Sequence, residues 1–247
     1  MNEGPVILSV ETATRGGSIF LARGVLQLAA RVGDPNISHS NNLLTDINDT
    51  LEGAGLSLED VEVFACASGP GSFTGLRIGI ATVKALAATL QRPSVGIPTL
   101  QAVAHTAGAS PATVAVLPAG RGEVFAQMFS VAEDDTVTKL DEAAHLSPQR
   151  LIDRYGVMRK LIWAGSGVLV QQDLLRSYAA ENRIPFLEES SLPPDDAWVV
   201  ATNVPNLARH VSALALHAFR RDDLQSAQAL RAIYVRPSDA ELKQQCR

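Results

Sequence analysis

The chain has 247 residues, of which 21 are Lys or Arg and 26 are Asp or Glu, and its formal net charge is -5 at pH 7. This acidic balance argues against a protein that binds nucleic acid alone, because such proteins usually carry a basic face that neutralises phosphates. The sequence has no charged leader followed by an apolar segment and no apolar run of membrane-spanning length. We therefore expect a cytoplasmic protein that does not contact a membrane.

The first half of the sequence predicts three strands followed by alternating helices and strands. Short apolar runs at 6–10, 18–22 and 25–30 are separated by glycine-containing turns, which predicts an antiparallel meander. Apolar residues at helical spacing then predict a first helix, which ends near Gly53. The remaining predicted elements are a buried strand at 61–67, a helix at 75–90, a strand at 94–97 and a helix at 99–106.

The second half repeats the same order of elements. Its predicted strands lie at 113–117, 123–131, 136–144 and 161–164, and its predicted helices at 148–155 and 168–179. Two βββαβα units in tandem predict an α/β fold of two related lobes, each a mixed sheet covered by helices. The predicted lobes cover 1–107 and 108–236; the second includes a terminal helix at 204–220, and a charged tail follows at 237–247.

The segment at 68–79, SGPGSFTGLRIG, links the predicted fourth strand to the second helix. Glycine permits close approach, proline stiffens the turn, and Ser72 or Thr74 is a candidate helix cap. The spacing fits neither a P-loop, because Leu76 stands where lysine belongs, nor the dinucleotide fingerprint, because Thr74 replaces the third glycine. Two interpretations remain, an anion or partner site and a tight turn in which the glycines serve packing alone.

Several segments, in order along the chain, resemble the motifs of one family. They are ILSVETAT at 7–14, HSNNLL at 39–44, GPGSFTGLRIG at 69–79, GIPTL at 96–100, RGEVF at 121–125 and AIYVR at 232–236. On these motifs the chain resembles the TsaB family, the bacterial accessory subunits of tRNA threonylcarbamoyladenosine biosynthesis. That family is part of the actin-like, sugar-kinase and Hsp70 ATPase superfamily, so the resemblance implies ribonuclease H-like, actin-like ATPase lobes.

The resemblance also implies a function within an assembly. The chain is expected to be a non-catalytic scaffold subunit of the complex that forms N6-threonylcarbamoyladenosine in tRNA next to the anticodon. Its implied partners are the catalytic homologue TsaD, which it binds and activates, and the ATPase TsaE. It is expected to reach tRNA only through the complex and not to be an enzyme alone. A homodimer through the first lobe is a further expectation.

The resemblance implies two partner-facing elements in the first lobe. One is the glycine loop, close to a partner or a nucleotide, with Gly69, Pro70, Gly71, Ser72, Phe73, Thr74, Gly75, Arg77 and Gly79. The other is the first helix, with His39, Leu43, Leu44 and Ile47. Small residues such as Gly75 and Gly79 let another helix approach closely, so a partner helix is expected against this surface. The alternative is that core packing within the chain hides both helices.

A degenerate phosphate motif is expected at Glu11, Thr12 and Thr14. The superfamily places at the first of these positions an aspartate that orders Mg²⁺, and the extra methylene of Glu11 displaces the carboxylate from that position. We therefore expect no cofactor of the chain's own; ATP or ADP with Mg²⁺ at a boundary shared between subunits remains an option. The alternative interpretation, which we favour, is that Glu11 is a polar residue at the end of a strand.

The rival class is an enzyme that acts alone, either an ATP-dependent kinase or a metal-dependent peptidase of the same superfamily. The catalytic homologue carries two metal-binding histidines on its first helix, whereas His39 stands alone here. Together with Glu11, this predicts no catalytic residues and no metal site. A turn at 164–168, AGSGV, lies where the superfamily contacts adenosine, and its composition favours a simple strand-to-helix turn.

Overall fold

The computed structural model describes residues 4–34, 39–188, 196–202 and 206–235, apart from the side chains of residues 39–41. The chain divides into two compact units. The first comprises Met1–Ala102 with Pro205–Tyr234, and the second comprises Val103–Val204 with Val235–Arg247. No helix in the described ranges is both long and apolar enough to cross a membrane.

The first unit is built on a five-stranded mixed sheet. Its strands are β1 (Val6–Glu11), β2 (Ser18–Arg23), β3 (Leu26–Val32), β4 (Val63–Gly69) and β5 (Ser94–Pro98). They lie in the order β3-β2-β1-β4-β5, with the first three antiparallel and β4 and β5 parallel to β1. The predicted meander and the strands after it are thus confirmed. The helices along this stretch are α1 (His39–Gly53), α2 (Phe73–Thr89) and α3 (Thr99–His105).

The second unit repeats this topology around β6. Its strands are β6 (Ser110–Gly120), β7 (Glu123–Val131), β8 (Val137–Lys139), β9 (Ala144–Leu146), β10 (Leu161–Ala164), β11 (Phe186–Glu188) and β12 (Trp198–Ala201). Its helices are α4 (Pro148–Tyr155), α5 (Gly167–Val170) and α6 (Gln172–Glu181). The sheet order is β11-β12-β10-β6-β7-β8, and β9 also pairs with β7. β6 is antiparallel to β7 and parallel to β10, as β1 is to β2 and β4, which confirms the predicted internal repeat.

The predicted strand at 136–144 is wrong in one respect, because the structure divides it into β8 and β9. Asp141 lies between the two strands and its side chain accepts a hydrogen bond from the backbone N–H of Met128 at 2.7 Å. The same carboxylate accepts the Tyr155 hydroxyl and the Arg154 guanidinium, each at 2.8 Å. A side chain thus takes the place of a ladder partner and interrupts the strand.

Three further elements of the second unit differ from the sequence prediction. The single helix predicted at 168–179 is divided at Gln171, whose buried side chain donates to the Gly122 carbonyl at 2.6 Å. The strands β11 and β12 are both absent from the sequence prediction. The apolar run that forms β12 has only five residues and follows a polar, proline-rich stretch. It is nevertheless buried and pairs with β10 in parallel.

The terminal helix α7 (Leu207–Arg220) belongs to the first unit, so its predicted placement in the second lobe is wrong. Its Ala208 packs against Phe20 and Ala22 of β2, and the Ala208 N–H donates to Ser18 Oγ at 2.9 Å. On the other face of the sheet, Arg31 of β3 forms an ion pair with α1. Sequence order alone does not indicate to which lobe a returning terminal helix docks.

The segment after α7 also stays with the first unit, and we call its residues 225–234 the C-terminal strap. Ser94 of β5 and Gln225 exchange two backbone hydrogen bonds of 2.8 Å. Further along, Leu230 is buried and the Ile233 N–H donates to the Ser68 carbonyl at 2.7 Å. The strap therefore runs from the edge of the sheet to the end of β4.

The docking of α7 predicts that a larger side chain lowers protein stability at a buried position of this helix but not at an exposed one. Ala208→Leu overpacks a fully buried site and should lower the free energy of unfolding by about 2 kcal/mol. The matched control is Arg209→Leu on the neighbouring exposed position, expected to stay within about 0.5 kcal/mol. Urea denaturation followed by far-UV circular dichroism measures both. Equal stability of the two variants would contradict this docking.

A buried thiol predicts a loss of stability at alkaline pH. Burial in β4 raises the pKa of Cys66 from 9.0 to about 12. Above pH 9 the unfolded chain loses this proton while the folded chain keeps it, so stability falls as the pH rises towards 12. Relative to Cys66→Ala, the wild type should lose about 2 kcal/mol between pH 8 and pH 10.5. Urea denaturation at the two pH values tests this, and a constant difference between the proteins would contradict it.

Candidate functional site

The glycine loop leaves β4 and enters α2 through a capped turn. The Gly69–Pro70 peptide bond is cis. Of the two predicted cap candidates, Ser72 is the helix cap, because its Oγ accepts a hydrogen bond from the Gly75 N–H at 3.2 Å. The backbone N–H of Ser72 donates to the Ala13 carbonyl at 2.8 Å. The helix begins at Phe73, two positions before the predicted start. The turn is therefore held by the segment that follows β1.

Thr12, directly after β1, locks α2 in place. Its buried hydroxyl donates to the Gly75 carbonyl at 2.8 Å. A Cβ on Gly75 would overlap the Thr12 carbonyl oxygen, and a Cβ on Gly79 would overlap Thr12 Oγ1. The expectation that these glycines admit a partner helix is therefore wrong, because both are buried against the chain's own strand end.

The other glycines of the loop also face the chain itself. Gly69 has a φ of +113°, and a Cβ there would overlap the Ile233 carbonyl oxygen of the C-terminal strap. A Cβ on Gly71 would lie 2.6 Å from the Ala13 carbonyl oxygen. Gly69 and Pro70 are buried, so their predicted place on a partner surface is wrong as well. Of the two interpretations of this loop, the structure supports the packing role for its glycines.

A cluster of aromatic and cationic side chains marks the exposed side of the loop. The Arg77 guanidinium carbon lies 3.8 Å from the centre of the Phe73 ring. That ring is 5.3 Å from the ring of Tyr234, at the end of the C-terminal strap. Ser72, Thr74 and Arg77 are exposed. Sequence reasoning did not connect Tyr234 with the loop, although the AIYVR motif was a signal that this distant segment belongs to the same site.

Fewer of the predicted interface residues of the first helix are exposed to solvent than expected. Leu43 and Ile47 are 7% and 2% exposed and lie in the core, so their predicted contact with a partner is wrong. Leu44 is 63% exposed and points away from the core. The side chain of His39 lies outside the described part of the structure. Among the predicted contact residues whose side chains are described, Leu44 is therefore the one that remains a candidate on α1.

Glu11 bonds with its own loop. One carboxylate oxygen accepts the Thr14 N–H and the other accepts the Thr14 hydroxyl, each at 2.7 Å, and Glu11 is buried. It also lines a small open pocket with Thr12, Ser18, Arg31 and Asp46, among others. The cavity volume there is about 20 Å³, which is room for about one water molecule.

The second unit has a glycine turn in the equivalent place, between β10 and α5. Gly165 has a φ of +97°, and a Cβ there would lie 2.6 Å from the Val116 carbonyl oxygen of β6. A Cβ on Gly167 would lie 2.7 Å from the carbonyl carbon of the same residue. The segment is a strand-to-helix turn, as its composition predicted, and its glycines pack tightly against β6.

The RGEVF motif lies in the hairpin between β6 and β7. Arg121 and Gly122 form the turn with positive φ values. Glu123 Oε2 lies 2.9 Å from His145 Nε2 of β9, and the His145 ring is 5.5 Å from that of Phe125. Within the described ranges, no three His, Cys, Asp or Glu side chains come together in a way that could hold a metal ion.

Residues 35–184, more than half of the chain, match the model of a family described as "TsaD: tRNA N6-adenosine threonylcarbamoyltransferase". The chain therefore belongs to this family. Similar curated proteins carry the name tRNA threonylcarbamoyladenosine biosynthesis protein TsaB, which confirms the resemblance seen in the motifs. The Escherichia coli protein is 30% identical over 156 residues, 60% of this chain and 65% of its own length. The Haemophilus influenzae protein is 34% identical over 106 residues, 41% of this chain and 42% of its own length.

The matches to these curated relatives span less than two thirds of the relatives' length. Similarity to a solved structure extends further. YeaZ from Pseudomonas aeruginosa superposes with a TM-score of 0.72 at 26% identity, over 93% of this chain and 99% of that chain. Together with the repeated topology, this confirms the predicted two-lobed α/β fold.

The contact between Thr12 and α2 predicts which substitutions in this helix disturb folding. Gly79→Leu should lower the free energy of unfolding by at least about 2 kcal/mol, because the side chain collides with Thr12 Oγ1. The control Ala81→Leu places the same side chain on the exposed face and should change stability by less than about 0.5 kcal/mol. Urea denaturation compares the two. A fully stable Gly79→Leu variant would contradict the packing role.

Proposed function

We propose that the chain is a non-catalytic accessory subunit of the complex that forms N6-threonylcarbamoyladenosine in tRNA. It binds and activates the catalytic homologue TsaD, works together with the ATPase TsaE, and meets tRNA only as part of that complex. The family match and the names of the relatives support a role in this biosynthesis. The observation that carries the non-catalytic role is that the glycine loop is closed against its own chain by Thr12, Ala13 and Ile233.

The residues of this chain do not fit a Mg-nucleotide in the superfamily's manner. Both Glu11 oxygens accept hydrogen bonds from Thr14, where the superfamily's aspartate orders Mg²⁺. The strand end and the C-terminal strap fill the space beside the glycines, which a phosphate would otherwise approach. Any Mg-ATP or Mg-ADP in the assembly is therefore proposed to lie at a boundary shared with another subunit. Arg77 is exposed at the loop and is a cationic side chain that this chain offers there.

The proposed surface for TsaD combines the outer sides of α1 and α2. Leu44 is exposed on α1, and Arg77, Ala81, Ala85 and Ala88 form an exposed stripe along α2. These positions recur every three or four residues, so they share one side of the helix. Alanine side chains let a partner helix approach closely. This proposed surface lies on the side of α2 opposite the buried glycines, and it replaces the interface that the sequence predicted at those glycines.

A reconstitution measures the proposed activity directly. Purified TsaD and TsaE from the same organism are combined with tRNA and a threonylcarbamoyl donor, with and without this chain. We expect transfer to tRNA only when the chain is present, and no ATP turnover or peptide cleavage by the chain alone. Equal transfer without the chain, or steady turnover by the isolated chain, would overturn the proposal in favour of a stand-alone kinase or peptidase.

The proposed surface also predicts a loss of binding without a loss of folding. Leu44→Glu buries a charge at the contact and should weaken binding to TsaD at least about tenfold. The control Val157→Glu changes a 78% exposed residue of the second unit and should leave the affinity unchanged. Isothermal titration gives the affinities, and urea denaturation should give the same stability for both variants. Equal affinities would exclude the outer side of α1 from the interface.

A further inference from the structure

Basic side chains line the outward side of α7. The helix, LARHVSALALHAFR, contains two arginines, two histidines and no Asp or Glu, and Arg221 follows it directly. Arg209, Arg220 and Arg221 are exposed, and His210 and His217 are partly exposed. We call these five residues the basic stripe. It stands out in a chain whose formal net charge is -5.

The spacing of these residues places them on one side of the helix. Positions 209, 213, 217 and 220 recur every three or four residues. The other side is formed by buried residues such as Ala208, Val211 and Ala215, and it packs on β1 and β2. The fold therefore uses the apolar side of α7 and leaves the basic stripe in solvent.

Two arginines of the stripe have charges that no neighbouring carboxylate neutralises. Among the described residues, the Arg209 and Arg220 guanidinium groups have no ion-pair or hydrogen-bond partner. The strands β2 and β3 contain no Asp or Glu. The nearest acidic residues along the chain are Asp222 and Asp223, beyond the helix end, where the Asp223 N–H donates to the Ala218 carbonyl at 2.9 Å. The stripe is therefore a surface that attracts anions.

The length of the stripe favours a polyanion over a small anion. Arg220 is eleven positions after Arg209, so their Cα atoms lie about 16 Å apart along the helix axis. Recognition of a single phosphate needs donors that converge on one point, whereas a nucleic acid presents phosphates along its whole backbone. Arginine suits such a backbone, because its guanidinium group can bind a phosphate through two parallel hydrogen bonds.

A lipid surface fits the stripe less well than a nucleic acid does. Helices that lie on membranes insert an apolar side among the lipids. The apolar side of α7 is already buried, with Ala208 packed on Phe20 and Ala22. Phe219, at the end of the helix, is the one large apolar side chain of α7 that is exposed, at 42%. A single aromatic ring does not replace such a side.

We propose that the basic stripe of α7 contacts the phosphate backbone of tRNA in the assembled complex. This inference rests on the proposed function and adds the surface with which this chain meets tRNA. The helix α7 lies on the face of the sheet opposite α1, so a TsaD molecule on the outer side of α1 leaves the stripe accessible. Phosphate contacts position an RNA without reading its sequence. The acidic balance of the chain explains why the stripe acts together with another subunit.

Charge removal in the stripe tests this contact in the complex of the chain with TsaD. At about 100 mM salt, Arg209→Gln combined with Arg220→Gln should weaken tRNA binding at least about tenfold. The slope of log Kd against log salt concentration should decrease by about 2, because two phosphate contacts are lost. Fluorescence anisotropy with labelled tRNA measures both quantities.

Two control variants separate this contact from a change in overall charge. Arg150→Gln combined with Arg183→Gln removes the same charge from exposed positions of the second unit, and tRNA affinity should stay within about twofold. Arg209→Lys combined with Arg220→Lys keeps the positive charges and should retain most of the affinity. Equal affinities of the two glutamine variants would overturn the proposal.

Other occupants of the stripe would give different results with the same variants. If the glutamine variant of the stripe loses TsaD or TsaE but keeps its tRNA affinity, the stripe is a protein interface and the proposal is overturned. If the chain binds phosphatidylserine vesicles and the variant loses only that binding, the stripe is a lipid site and the proposal is overturned as well.

The isolated chain gives a comparison that does not require TsaD. At low salt it should bind tRNA weakly, and the glutamine variant of the stripe should bind at least about threefold more weakly than the Arg150 and Arg183 control. A chain that fails to bind TsaD and still shows this difference would contradict the proposed function but support the stripe. A chain that binds TsaD and shows no difference in either measurement would contradict the stripe alone.

Discussion

The close approach of α2 to the end of β1 is the contact on which the rest of the first unit depends. Thr12 holds the Gly75 carbonyl at 2.8 Å, and the missing Cβ atoms of Gly75 and Gly79 make room for it. Any other residue at these two positions would push the helix away from the strand. The cap at Ser72 and the exposed stripe of α2 take their positions from this contact.

A close contact between glycines and the central strand also occurs in the second unit, but different groups form it. There the turn after β10 brings Gly165 and Gly167 against Val116 of β6, the strand that corresponds to β1. A backbone carbonyl and an apolar side chain replace the hydroxyl of Thr12. In both units glycine therefore serves the contact between a turn and the central strand. A glycine-rich turn in this fold can be a packing element, and its composition alone does not identify a ligand site.

Much of the fold could be predicted from sequence because its signals are local. Alternating strands, helical spacing and Ser72 as a cap are set by near neighbours, and they were found in the correct order. The misplaced features depend on distant partners. Nothing near α7 shows that Ala208 docks on Phe20, and nothing in the glycine loop shows that Ile233 covers Gly69. Helical spacing identified Leu43, Leu44 and Ile47 together, but only the folded sheet shows that Leu44 alone of them is exposed.

The packing of α2 explains how a loop closed on its own chain still shapes a surface. One side of the helix is held by Thr12, and another by the C-terminal strap, whose Leu230 carbonyl accepts from Lys84 at 3.4 Å and whose Tyr234 ring meets Phe73. With two sides fixed by segments far apart in sequence, the remaining stripe has little freedom to move. A surface ordered before binding loses less conformational entropy when a partner docks. The glycines thus fix the position of the surface that we propose for TsaD, although they do not lie on it.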